Sequence, residues 1–349
     1  MKKLKVGVVF GGRSAEHEVS LQSAKNIVDA IDKNKYEAVL IGIDKEGKWR
    51  LYDPASYLLN ADDPKHIQLN ESQNPIAVVP GETTNQLVHA ETSQVLEQLD
   101  VIFPIVHGTL GEDGSLQGLL RILNLPFVGT GVLGSAICMD KGIAKSILHS
   151  SGINVANGFI FTRFQRNDIE YDKIAEQLGT PLFIKPANQG SSVGVSKVTT
   201  KEEFEASIDI AFEYDHKIVI EEAIVGREIE ISVLGNENPI ASVAGEILSQ
   251  TGFYSYESKY IDEKGAKLVI PSSLPEDTMK RLQDVAVNAF KVLQCEGLAR
   301  VDFFLTQNGD IYVNEINTLP GFTKISMYPK LWEESGIPYP ELINRLIEL

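Results

Sequence analysis

The feature that most limits the fold is an alternation that opens the chain: apolar strand, glycine-bearing loop, amphipathic helix. Residues 5–10 (KVGVVF) read as a strand, 11–20 (GGRSAEHEVS) as a loop and 21–31 (LQSAKNIVDAI) as a helix. Leu21, Ala24, Ile27, Val28 and Ile31 fall on one stripe of that helix, and Ser20 is its expected N-cap. Strands follow at 36–44 (YEAVLIGID) and 101–106 (VIFPIV), then the loop HGTLGEDG and a helix over 115–123 (SLQGLLRIL). This repetition predicts a parallel sheet with helices on both faces and functional loops at the carboxyl ends of its strands. Residues 51–93 are polar and punctuated by Pro and Gly, which suits an elaborated surface region.

Beyond residue 130 the pattern changes. A helix is expected over 138–152 (CMDKGIAKSILHSSG), then two strands around a Gly/Ser loop in 181–198 (PLFIKPANQGSSVGVSKV). A helix at 202–214 and a strand at 216–224 follow. Two strands, a Tyr-rich loop, a long helix at 275–295, a hairpin at 299–317 and a helical tail complete the chain. The units expected are an N-terminal parallel α/β domain (1–140), a small central α+β domain (141–230) and a C-terminal α+β domain (231–349). A hydrophobic content of 43% supplies ample core, and no run approaches the 18 apolar residues of a membrane span. The net charge of −16 argues against a nucleic-acid partner. Cys138 and Cys295 sit in apolar helical patterns, which points to a reducing cytoplasm and not to a disulfide framework.

The sharpest chemistry lies in the hairpin ARVDFFLTQNGDIYVNEIN. With Asn308-Gly309 as a two-residue turn, Asp302 falls opposite Glu315 and Arg300 opposite Asn317, all on one face. Two carboxylates facing across a ladder repel unless something neutralises them. Hard oxygen donors from Asp, Glu and Asn suit Mg²⁺. A solvated acidic face is the other reading; the apolar residues crowding both strands and the company of Asn317 and Arg300 favour the cation.

The Gly/Ser-rich segment IKPANQGSSVGVSKV (184–198) can bring backbone N–H groups close to phosphate, with Lys185 supplying charge from the strand that precedes its glycines. An ordinary flexible hairpin is the alternative. The lysine precedes the glycines, so this is not a P-loop. The spacing after Gly11-Gly12 fails the GxGxxG dinucleotide pattern, which argues against hydride transfer.

Together these segments resemble the ATP-grasp ligases, and within them the D-alanine–D-alanine ligase family, over essentially the whole chain. The motifs are FGGRSAEHEVS, HGTLGEDGSLQG, CMDK, FIKPANQGSSVGVSKV, IEEAIVGREIE, FYSYESKY, GLARVDFF and NEINTLPGFTKISMYP, in that order. The resemblance implies an ATP-grasp fold and ATP-dependent joining of two D-alanines for peptidoglycan, through an acylphosphate. It implies ATP and two Mg²⁺ ions, or Mn²⁺, held at Asp302, Glu315 and Asn317. Lys141 and Lys185 match phosphate-contacting lysines, and Ser191 and Ser192 lie in a phosphate-covering loop. Glu221 and Glu228 match adenine- and ribose-contacting acids, Ala223 and Ile224 the adenine hinge, with Lys259 and Phe304 also on the nucleotide. Glu16 matches the acid that holds the ammonium of the first D-alanine, linked to Ser191 and to Tyr260 of the Tyr-rich lid. Arg300 would stabilise charge on the tetrahedral intermediate. Ser20, His107, Gly321, Ser326 and Met327 complete the substrate and catalytic positions, and a homodimer is implied. Tyr260 could also be a core aromatic, and His107 a buried core histidine.

Two other functions remain in view. One is a ligase joining D-alanine to D-lactate or D-serine, against which Tyr260 and Met327 resemble the dipeptide type. The other is a non-catalytic nucleotide-binding regulator, which would be expected to lose metal or phosphate ligands. Lys324 adds a positive charge near the second-substrate region that nothing in the sequence explains.

Overall fold

The computed structural model describes residues 2–249 and 266–349; Lys259 and Tyr260 lie outside them. Strand β1 (Leu4–Gly11) pairs in parallel with β2 (Tyr36–Ile43) on one side and with β4 (Val101–Ile105) on the other. Strand β3 (Trp49–Tyr52) adds an antiparallel edge, giving the order β3-β2-β1-β4. Successive residues of β1 feed opposite faces. Val6, Val8 and Phe10 pack on Leu21, Ala24 and Ile27 of α1 (His17–Ala30). Val9 joins Ile41 and Ile102 against Leu116 and Leu120 of α2 (Ser115–Ile122). The expected helix-covered parallel sheet is therefore present.

Part of that cover comes from the far end of the chain. Tyr328 and Trp332 of α8 (Met327–Glu334) and Leu342 and Leu346 of α9 (Tyr339–Glu348) belong to the same buried cluster as Val6 and Phe10. Tyr36 Oη donates to Asn344 Oδ1 across this contact at 2.8 Å. Truncating Leu342 to Ala would open a cavity there, at a cost of about 2–5 kcal/mol.

The middle of the chain forms an antiparallel sheet of order β7-β6-β8-β5, from β5 (Gly158–Thr162), β6 (Leu182–Pro186), β7 (Ser196–Val198) and β8 (Lys217–Glu222). Leu182, Ile184, Ile218 and Ile220 pack with Ile174 of α5 (Tyr171–Leu178) and with Phe204 and Ile208 of α6 (Lys201–Tyr214). The alternation sends Phe183, Lys185, Val219 and Glu221 to the opposite face. The last sheet has the order β11-β10-β9-β12-β13, from β9 (Arg227–Leu234), β10 (Ile240–Ser249), β11 (Ala266–Val269), β12 (Leu298–Leu305) and β13 (Ile311–Asn317). Ile229, Ile231, Val301, Phe303 and Val313 pack under α7 (Glu276–Val292). The passage between the two sheets runs through residues 223–226.

Three local expectations need correction. Helix α1 begins at His17, so Ser20 is inside it and is not its N-cap; Glu16 holds that position. The Ser20 hydroxyl instead accepts from Gly11 N–H (2.7 Å) and donates to the Ile105 carbonyl (2.5 Å), tying the ends of β1 and β4 together. The single helix expected over 138–152 is two, α3 (Val132–Met139) and α4 (Lys141–Ser150), because Asp140 takes an extended conformation and caps α4 through Ile143 N–H. Residues 51–93 are not without order: they carry two small hairpins, Leu58–Leu59 with Gln68–Leu69 and Ile76–Val78 with Leu87–His89.

Candidate active site

The hairpin register holds where the chemistry lies. Asp302 pairs with Glu315 and Arg300 with Asn317. The turn does not: Leu305 pairs with Ile311, and Gly309 N–H donates to the Thr306 carbonyl, so residues 307–309 make a three-residue loop. A bulge at Asn314 restores the offset, since Phe303 pairs with Val313 while Asp302 pairs with Glu315. That extra residue also keeps Val313 and Ile316 in the core while Glu315 and Asn317 face the site.

Strand β9 extends this face. Glu230 pairs with Asp302, and Glu228 with Phe304. Three acids, Glu230, Asp302 and Glu315, thus lie in a row across three neighbouring strands. Arg300 neutralises part of it. Its Nε and Nη2 donate to the two oxygens of Asp302, both at 2.7 Å, and Nε lies 2.9 Å from Glu230 Oε2. Lys141 Nζ is 3.8 Å from Glu315 Oε2 and donates to the Gln189 carbonyl at 2.6 Å. Among the described residues no three His, Cys, Asp or Glu side chains converge as metal ligands. The fit to a hard cation rests on the donor set itself: the carboxylates of Asp302 and Glu315 and the Asn317 amide share one face.

On the central sheet one carboxylate faces two ammoniums. Glu221 is 2% exposed, and its Oε1 lies 2.5 Å from Lys145 Nζ while Oε2 accepts from Lys185 Nζ at 2.9 Å. Burial alone would raise the Glu221 pKa; the two ammoniums overcome it and hold the carboxyl down at about 2. The carboxylate expected to accept from an adenine amino group thus holds two lysines. Ala223 and Ile224 are half-buried in the link just beyond it.

The Gly/Ser loop leans on the first sheet. Ser191 Oγ donates to Glu16 Oε1 at 2.5 Å, and a Cβ at Gly190 would lie 3.2 Å from Glu16 Oε2. Ser191 and Ser192 both adopt left-handed φ, +51° and +61°. Glu16 is held at the start of α1 by Ser14, whose hydroxyl accepts from Glu16 N–H and donates to the His107 carbonyl.

His107 lies two residues past the carboxyl end of β4, where a functional residue is expected, yet its ring is spent on the protein. Nδ1 faces the Leu319 carbonyl at 2.9 Å and so carries the proton; Nε2 faces Ser23 Oγ at 3.1 Å. Burial pushes its pKa down, but nearby Glu112 and Glu16 outweigh that and the net shift is upward. Burial raises the Glu112 pKa, against the opposing pull of His107.

The expected residues divide accordingly. Glu16, Lys141, Ser191, Arg300, Glu315 and Asn317 line one cleft of about 50 Å³ where the three sheets approach. A larger cleft of about 230 Å³ adjoins it, walled by Lys145, Gly158, Ile160, Val219 and Glu221. Ser20 is fully buried and Met327 packs with Ile247 and Leu331. Ser326 Oγ is engaged by Thr323, accepting from its N–H at 3.0 Å. Gly321 is buried in the same segment, beside exposed Lys324. Sequence reasoning missed Lys145, Glu230 and Glu112. Lys145 stands one helical turn beyond Lys141, and Glu230 two strand positions beyond Glu228, so spacing could have flagged both.

This arrangement has relatives. The sequence matches the family model for the D-ala D-ala ligase N-terminus over residues 5–130 and that for the C-terminus over residues 147–348. A D-alanine–D-alanine ligase of Shouchella clausii is 63% identical over 349 residues, all of this chain and 95% of that protein. The solved D-alanine-D-alanine ligase from Coxiella burnetii superposes with a TM-score of 0.86 at 40% identity, covering 100% of this chain and 94% of that one. The VanG D-Ala:D-Ser ligase from Enterococcus faecalis gives 0.88 at 37% identity, covering 100% and 99%. With both halves matched in order and a relative 63% identical over the whole chain, the chain belongs to the D-alanine–D-alanine ligase family.

Proposed function

We propose that the protein joins two D-alanines into D-alanyl-D-alanine at the expense of ATP, for peptidoglycan. The observation that carries the reading is the convergence of Glu16, Lys141, Ser191, Arg300, Glu315 and Asn317, from three separate sheets and their loops, on one cleft. Glu16 holds the ammonium of the first D-alanine and so aims its carboxylate at the γ-phosphorus of ATP. Lys141 and Lys185 draw charge off the phosphates, while the loop at Ser191 and Ser192 covers them and excludes water. Transfer of the γ-phosphoryl group gives an acylphosphate and ADP. The amine of the second D-alanine attacks the acyl carbon, Arg300 stabilises the oxyanion, and phosphate leaves. Asp302, Glu315 and Asn317 would hold Mg²⁺, two ions in the fullest reading, or Mn²⁺; bound there, the metal supplies charge neutralisation to the phosphates. Glu228 and Phe304, side by side on the same face, suit the ribose and base. Work in the cytoplasm as a homodimer completes the reading, the latter open to sedimentation analysis.

D-Serine as second substrate is the reading to weigh against this one, given the likeness to the VanG ligase. Met327, apolar and packed in a core cluster, offers nothing to a serine hydroxyl. The deciding experiment is product identification by mass after incubation with ATP, Mg²⁺ and equal D-alanine, D-serine and D-lactate. D-Alanyl-D-alanine as the main product is expected at pH 7.5; a mixed product dominating would overturn the substrate assignment.

A further inference from the structure

Lys145 is a buried cation with no place in the chemistry described above. It sits on α4 one turn beyond Lys141, is 8% exposed, and walls the neighbouring cleft, away from the six residues that converge on the site. Its Nζ lies 2.5 Å from one oxygen of Glu221; Lys185 Nζ lies 2.9 Å from the other. A buried carboxylate cannot give up its only cation without a large penalty. A lysine that must reach phosphate therefore cannot also be the sole partner of Glu221.

We infer that Lys145 is the positioning residue that frees Lys185 for nucleotide phosphate, by remaining on Glu221 when Lys185 turns to the triphosphate. With Lys145 present the trio carries one surplus positive charge, and an anion is its natural complement. With Lys145 gone, Lys185 and Glu221 would form a closed neutral pair with nothing left to offer. Two ammoniums sharing one carboxylate also repel each other. Burial lowers the Lys145 pKa, Glu221 raises it, and Lys185 lowers it further. Movement of Lys185 toward phosphate relieves that repulsion. The inference rests on the proposed phosphate role of Lys185.

The test is calorimetric binding of Mg²⁺-ATP and of adenosine to the full chain, in wild type and in Lys145→Met, Lys145→Arg and Lys185→Met variants. Lys145→Met should weaken ATP by about tenfold or more and adenosine by less than about twofold, as expected for a lost charge-assisted contact to phosphate. Lys145→Arg, which keeps the cation, should recover most of the ATP affinity. Equal weakening of ATP and adenosine would make Lys145 a structural prop and overturn the inference. So would wild-type ATP affinity in Lys145→Met while Lys185→Met binds poorly. If Lys185→Met itself binds ATP normally, the phosphate role of Lys185 is what fails. Should Lys145→Met not fold, Lys145→Gln, which can still donate to Glu221 without a charge, takes its place with the same two outcomes.

Discussion

The central and C-terminal sheets each carry a charged cluster toward the site, and the two clusters are unlike in sign. On the central sheet one carboxylate, Glu221, holds two ammoniums, Lys145 and Lys185. On the C-terminal sheet three carboxylates, Glu230, Asp302 and Glu315, stand in a row, with Arg300 on the first two and Lys141 Nζ 3.8 Å from the third. Ion pairs alone say little about purpose, since a balanced pair can be purely structural. The kind of group presented is what informs. Paired ammoniums suit a triphosphate, aligned oxygen donors suit a divalent cation, and a metal–nucleotide complex would satisfy both at once.

The largest expected effect breaks the acidic side. Asp302→Asn should lower metal-dependent turnover on the order of a thousandfold, because charge neutralisation at phosphate is worth several kcal/mol. The facing carboxylates taken alone predict that this variant is as stable as wild type or more so. Arg300 reverses the sign: both Asp302 oxygens accept from its guanidinium, so stability should fall, by about 1.5–3 kcal/mol for a charged hydrogen bond. Steady-state rates and denaturant melts without metal check the two parts. Wild-type turnover in Asp302→Asn would remove the metal from this face.

The basic side is read through pH. The Glu221 carboxyl, held at about 2, is depressed below its ordinary 4.5. A depressed acid adds stability above the unfolded pKa and loses it as pH falls through the folded one. Its contribution of about 3 kcal/mol is therefore complete above pH 4.5 and gone near pH 2. Glu221→Gln should be less stable than wild type at pH 7, and the gap should close between pH 4.5 and 2. A constant gap in urea titrations across that range would show that the lysines do not set the Glu221 charge.

How much of this could be read from sequence differs between the two clusters. The acidic row was legible because a strand's period of two carries Asp302 and Glu315 to one face whatever lies around them. The turn was misread by one residue, yet the facing pair survived because the Asn314 bulge cancels the error. The bulge has its own signature: the polar pair Asn314-Glu315 between Val313 and Ile316 breaks strict alternation. The basic cluster was only half legible. Lys185 and Glu221 lie on neighbouring strands, but Lys145 comes from a helix whose docking depends on tertiary packing. The break at Asp140 hid the start of that helix. The cover that α9 gives to the first sheet was invisible for the same reason, since no local pattern joins residue 10 to residue 342.

The smallest expected effect concerns what connects these clusters to the first sheet. Lys141 is tied to the Gly/Ser loop through the Gln189 carbonyl, and the loop is tied to Glu16 through Ser191. Ser191 and Ser192 hold consecutive left-handed φ values, a conformation that costs an L-residue about 1–2 kcal/mol. A hydroxyl-to-carboxylate bond, worth about 1.5–3 kcal/mol, is of the size needed to offset it. Two substitutions separate strain from bond. Ser191→Ala keeps the strain and loses the bond, so the loop should exchange its amides faster and kcat/KM for D-alanine should fall about tenfold. Ser191→Gly also loses the bond but relieves the strain, because glycine accepts positive φ freely. Its loop should be as protected as in wild type, while kcat/KM falls as far as in Ser191→Ala. Hydrogen exchange over residues 188–194 and steady-state kinetics at saturating ATP give the two readings independently. A Ser191→Gly enzyme with wild-type kcat/KM would mean that the loop's shape, and not its bond to Glu16, is what the reaction needs.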